Sequence, residues 1–542
     1  MKNYIKYYIV FFGLILLFYY PLYRGFFQQD EWMGFDTLYT NGIYNVGGAF
    51  KNYFVLNIGH YVPMHQVLFH LMFLVFGLNY QGWVTVSLVW HGINACMVFL
   101  LARKILKNNQ GALLVVVLFV LSAASYQATA WVGADINTHG STLFTLLSMY
   151  FFWGELEEKK PGKGSLVFLV ISLLFKETAV GLFGLYPALI LFKKGIKRVV
   201  SRDVLLWAVA GGGYVMFRGL GLVLPIAYEG AQLATETQSL NLIVYNMISL
   251  PGKVFVQVLV TPDGIMKLGL EITKIAVKEK LLSPVFLLVT QIRDRAVFVE
   301  GFYFVAIISG MWVALKRKSK AMIWGLGLVI FTTPIFGLSP ERTGIFRYVD
   351  SRNMYLAAAG VFVFLVDLIW EWDRWIKWGL VLSLVIMNCY FLEKNLGSLA
   401  RDGAVRKEIL IQMMSDTPVL SEKTVFYTES DTSYYVSDKN ELLMPFLSGF
   451  GQTLMVWYQN ENDLPGEFFK NRFLWEIESQ GYKEVNDRGF GYYRDFGLLK
   501  NAIDEYNVPV ESVIAYSWMG WDKKLTNITD EVRKRIEESE EN

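Results

Sequence analysis

The stretch "GFFQQDEWMGF", residues 25–35, sets two carboxylates, Asp30 and Glu31, directly after the apolar run "YYIVFFGLILLFYYPLY". Acidic pairs are costly beside a membrane segment and are usually kept there for a reason. Side by side, two carboxylates suit proton transfer, because like-charge proximity raises the pKa of one of them; the plain alternative is the polar edge of a loop. A second polar interruption, "FKET" at 175–178, breaks a long apolar stretch with Lys176 and Glu177. That pair reads either as a functional charge or as an ion pair covering a tight turn. Asp135 opens the run "DINTHGSTLFTLLSMYFF" and fits a helix cap as well as a substrate contact. His91 and Asn94, inside an apolar run, read as helix–helix hydrogen bonds more readily than as ligands.

The elements that must position these residues are membrane helices. Of 542 residues, 54% are hydrophobic and only 18% charged, against about 25% charged in soluble domains. A net charge of +2 points away from nucleic acid. Cys96 and Cys389 both lie in apolar runs and suggest neither a disulfide framework nor a zinc site. Large aromatic residues follow the first apolar run, so it reads as a retained helix and not a cleaved signal. Spans fit at about 5–22, 82–102, 112–130, 136–153, 165–176, 178–192, 203–224, 300–315, 321–338, 353–369 and 378–393, about eleven in all. Basic clusters at Arg103–Lys107, Lys159–Lys163, Lys193–Arg198 and Lys316–Lys320 mark inner loops. With an odd span count, the N-terminus is cytoplasmic, and Asp30 and the C-terminus lie outside.

Two stretches depart from simple spans. Residues 62–78 are apolar and helical within the first outer loop, 23–81, and suit an interfacial helix. The long outer segment 226–299 holds a further helix at about 243–260. The expected organisation is therefore an α-helical polytopic domain over 1–393 and a small extracytoplasmic mixed α/β domain over 394–542. In the latter, "QTLMVWYQN" reads as a strand, and helical patterns occupy 399–415 and 528–540.

Residues 60–106, "HYVPMHQVLFHLMFLVFGLNYQGWVTVSLVWHGINACMVFLLARKIL", resemble the GT-C superfamily of membrane glycosyltransferases, in particular the protein O-mannosyltransferase-like branch, which includes transmembrane enzymes carrying tetratricopeptide repeats. Repeats of that kind are absent here. Three further pieces are similar in order: "ATAWVGADINTHG" with Trp131 and Asp135, "SLLFKETAVGL" with Lys176 and Glu177, and "SRNMYLAAAGVFVFL" with Arg352 and Tyr355. The sequence departs from the pattern at Val62, where the branch often has arginine, and at Gln127–Ala128, where it has glutamate.

The resemblance implies a polyprenyl-phosphate sugar as donor. A separate argument agrees: an enzyme on the outer face has no access to cytosolic nucleotide sugars. A departing phosphate is a weak base and needs little acid assistance; the reaction needs a base for the acceptor hydroxyl and cations for the phosphate. Asp30 resembles the family's base, with Glu31 orienting it or raising its pKa. Arg352, Tyr355, Lys176, His60 and His65 are the candidate donor-phosphate partners, arginine being best suited by its two-pronged fork. Asp135 and Glu177 stand as substrate contacts or supports. The expected outcome is inversion, with no metal or other cofactor; partners are the bilayer, the lipid-linked sugar and an acceptor protein or glycan, at the cell membrane. The rivals are a metal-dependent oligosaccharyltransferase-like enzyme, using further carboxylates such as Asp36 or Glu236, and a non-catalytic lipid-glycan transporter or receptor.

Overall fold

A backbone withdrawn from water must bond within its own segment, so the apolar runs fold as helices. The computed structural model describes residues 4–28, 31–32, 34–35, 38, 61–133, 135–158, 163–195, 201–223, 239–261, 296–338, 349–420, 424–430, 450–462, 477–478, 481–482, 491–519 and 524–540. Among these, helices run α1 (Ile5–Tyr19), α2 (Pro63–Phe76), α3 (Tyr80–Leu106), α4 (Asn109–Val120), α5 (Asp135–Glu158), α6 (Lys163–Leu173), α7 (Leu182–Lys194) and α8 (Arg202–Val223). They continue as α9 (Leu240–Leu259), α10 (Ala296–Arg317), α11 (Lys320–Thr332), α12 (Ser351–Ile369) and α13 (Arg374–Asp416). Six described helical stretches are long and apolar enough to cross a bilayer: Ile5–Arg24, Tyr80–Leu106, Leu240–Leu259, Lys320–Leu338, Ser351–Ile369 and Arg374–Asp416. Large apolar side chains stand exposed along helices outside and inside that set, Leu17 at 68% and Met216 at 76%. Apolar exposure repeated along several helices is what a lipid-facing surface requires. This is a helical membrane protein.

The chain divides into two compact units. The first holds Met1–Pro21, Asn52–Phe69 and Val84–Leu396; the second holds Leu22–Lys51, His70–Trp83 and Gly397–Asn542.

In the first unit, α5 carries a run of polar residues, Thr138, His139, Ser141, Thr142, Thr145 and Ser148, all of them buried. Ser141 and Thr145 hydroxyls meet Ser172 of α6 at 3.0 and 2.8 Å, and Ser148 donates to the Ser165 carbonyl at 2.6 Å. Such hydrogen bonds between helices replace water that the bilayer does not supply. Helices α11 and α12 cross at Gly325 and Gly360. A Cβ on either residue would come within 2.4–2.5 Å of the other's carbonyl oxygen, so only glycine permits this contact.

The second unit contains a four-stranded sheet in the order β4–β1–β5–β6, with β1 (Val425–Ser430), β4 (Gly491–Tyr493), β5 (Val513–Trp518) and β6 (Leu525–Asn527). β1 runs parallel to β4 and β5; β6 returns antiparallel to β5. A separate two-stranded piece pairs β2 (Ile477–Glu478) with β3 (Gly481–Tyr482). Between β1 and β2 lies α14 (Phe450–Asn462). The segment "QTLMVWYQN" read as a strand is therefore helical. Residues 453–458 are buried without interruption, and burial on every side leaves no helical stripe to read. Helix α15 (Phe496–Tyr506) is capped by Asp495, whose Oδ1 accepts the Leu498 N–H at 2.9 Å, and ends at Asn507 in the left-handed conformation. The closing helix α16 (Thr529–Glu540) is held to β1 by Arg535, paired with Glu429 at 2.6 Å.

Candidate functional site

Helix α6 ends at Leu173 because the following N–H groups of Leu174, Phe175 and Lys176 close back onto the Val170, Ile171 and Ser172 carbonyls. Lys176 then takes an extended backbone before a short 3-10 turn, Glu177–Gly181. "FKET" is thus a built break between two helices. Lys176 Nζ donates to Asn353 Oδ1 at 3.2 Å and to Thr138 Oγ1 at 3.4 Å. Its charge interacts with Arg352, Glu177 and Asp350.

Arg352 sits in the first turn of α12 with its guanidinium 4.7 Å from the ring centre of Trp131, a stacking geometry that suits arginine. The Trp131 Nε1 is buried and has no acceptor among the described residues. Glu177 accepts the Tyr61 N–H at 3.1 Å and faces Arg218 of α8 at 3.5 Å. The start of α2 is tied to the same break, Met64 N–H donating to the Leu174 carbonyl at 3.1 Å. His65 lies on that first turn of α2, its ring against Phe69. Tyr61, Trp131, Lys176 and Arg352, one from each of the four similar pieces, thus stand in one connected neighbourhood of the first unit.

Tyr355, one turn along α12 from Arg352, is fully buried, and its hydroxyl meets His91 Nδ1 at 2.6 Å. Asn94 meets His139 Nδ1 at 3.1 Å, and His139 Nε2 meets Thr129 at 3.3 Å. Asp135 is buried at the start of α5, its N–H on the Trp131 carbonyl at 2.8 Å. His91 and Asn94 therefore do make hydrogen bonds between helices.

In the second unit, Glu31 is buried and accepts the Gln28 N–H at 2.8 Å. Its charge interacts with Arg406 of α13, which donates to the Phe27 carbonyl at 3.1 Å and the Phe26 carbonyl at 3.4 Å. Phe26, Phe27, Trp32, Phe35, Tyr80 and Trp83 pack around this turn with ring centres 5.0–6.3 Å apart. A Cβ at Gly403 would stand 2.3 Å from the Phe26 nitrogen, so glycine lets α13 approach the turn. Asp30 and His60 lie outside the described residues, as do Asp36 and Glu236.

Sequence reasoning passed over Arg406, Asn353 and Thr138. Asn353 follows a candidate directly, and Thr138 lies one turn beyond another, so helix geometry could have found both. Arg406 reads as an ordinary helix residue; its one sequence mark is Gly403, one turn earlier on the same face. No protein-family model matches the chain, and no curated protein matches it.

Proposed function

We propose that this protein moves a sugar from a polyprenyl-phosphate carrier to an acceptor hydroxyl outside the cytoplasm. The observation that carries the reading is the meeting of Lys176 and Arg352, far apart in the chain, in one neighbourhood with Asn353, Thr138 and Trp131. Two adjoining half-buried cations repel each other, and although Glu177 and Asp350 offset part of that charge, an anion that answers both is favoured. A phosphate does so, and it is where charge develops as the sugar leaves. In this reading the Arg352 fork and the Lys176 ammonium hold the departing phosphate, and the Trp131 N–H supplies a further donor.

Asp30 takes the acceptor's proton as the hydroxyl attacks the anomeric carbon from the face opposite the phosphate, which inverts that centre. Glu31 holds the turn: its carboxylate caps the Gln28 N–H and faces Arg406. Arg406 and the aromatic cluster hold the backbone at Phe26 and Phe27. The wider reading is about eleven spans, a cytoplasmic N-terminus and a C-terminal α/β part on the outer side.

The test is incubation of purified protein with a panel of radiolabelled polyprenyl-phosphate sugars and a mixture of peptide and glycan acceptors. Transfer from one donor that persists in excess chelator and inverts the anomeric centre is expected. Activity only with a pyrophosphate-linked glycan and added divalent metal, or donor binding without transfer, sinks the proposal.

A further inference from the structure

The turns α10–α11 and α12–α13 are locked together in the first unit. Arg317 Nη1 donates to the Leu368 carbonyl at 3.1 Å, the Ser319 hydroxyl donates to Asp367, and Lys377 Nζ donates to the Trp370 carbonyl at 3.0 Å. Arg317 and Lys377 thereby satisfy carbonyls at the end of α12, a structural duty. Lys316, Lys318, Lys320 and Arg374 are exposed and make no ion pair among the described residues. Six cations stand here against three carboxylates, Asp367, Glu371 and Asp373.

Backbone geometry adds an independent observation. Lys318 occupies the left-handed position closing α10, at φ 51°, with the Ser319 N–H returning to the Ala314 carbonyl at 3.3 Å. Glycine takes this position without strain and is usual there; lysine is not. The turn between α3 and α4, in another of the basic clusters, repeats the choice with Lys107 at φ 54°. Lysine standing where glycine is easier places a charge at the turn at a cost in backbone strain. Around the locked turns, Trp312, Trp372, Trp375 and Trp378 are exposed, Trp375 at 82%. Tryptophan concentrates at headgroup depth, where an amphipathic ring meets both lipid and water.

We propose that the face made by these two turns binds the phosphate headgroups of anionic phospholipids, with Lys316, Lys318, Lys320 and Arg374 as the cationic contacts and the tryptophans setting its depth. Clustered basic residues beside a membrane helix attract acidic lipid in this way. The inference rests on the membrane reading and is independent of sugar transfer.

Full-length protein, delipidated in detergent, is titrated with dioleoylphosphatidylglycerol and separately with dioleoylphosphatidylcholine, and bound lipid is counted by native mass spectrometry. Wild type is expected to favour phosphatidylglycerol. Lys318→Gly, which relieves the backbone, should leave the melting temperature unchanged or higher while weakening phosphatidylglycerol binding about fivefold. The Lys316→Gln, Lys318→Gln, Lys320→Gln triple variant should weaken it on the order of a hundredfold, with phosphatidylcholine unaffected. Equal binding of the two lipids by wild type, or undiminished phosphatidylglycerol binding by well-folded Lys318→Gly, overturns the proposal.

Discussion

At the residue scale, the proposal asks different things of Asp30 and of the cations. Asp30→Asn keeps size and hydrogen-bonding reach but removes the ability to take a proton at neutral pH. Turnover should fall by about 10²–10⁴-fold with donor affinity little changed. Initial rates and donor binding, measured in detergent on monodisperse protein, decide this; a wild-type rate would make the acidic pair a loop edge. Arg352→Ala should weaken donor binding as well as turnover, by roughly 1.5–3 kcal/mol.

At the element scale, the glycine crossing of α11 and α12 makes a stability test. Gly360→Leu must push apart backbones that now touch and should cost about 1–3 kcal/mol or more. Gly379→Ala, where a Cβ meets nothing within 4 Å, should be neutral or stabilise by about 0.5–1 kcal/mol. Thermal unfolding in detergent compares the two. Most helices were legible in the sequence because hydropathy is local and a lipid-facing side needs no partner to declare itself. What was illegible depended on contacts made at a distance. The "QTLMVWYQN" helix is buried all round and lost its period. Arg406 has a place only because α13 meets the Phe26–Phe27 carbonyls. The FKET break was visible as a polar interruption, but Asn353 as the Lys176 partner was not, since nothing in either segment names the other.

At the scale of the whole molecule, the proposed topology places the basic turns and the closing helix on opposite sides. In intact cells, Lys534→Cys should be labelled by an impermeant maleimide, and Lys318→Cys only after permeabilisation. The reverse pattern would turn the proposed arrangement over and put Asp30 on the inner side. If α5 and α6 cross the bilayer as in the proposed set of spans, the polar face of α5 bears on the order in which the chain enters the membrane. That helix satisfies its hydroxyls on Ser165 and Ser172 of the helix made after it. A nascent chain cut after Glu158 should therefore be partitioned poorly by the insertion machinery, whereas one reaching Leu173 can enter as a helical hairpin. The ribosome would in effect have to finish α6 before α5 could leave water.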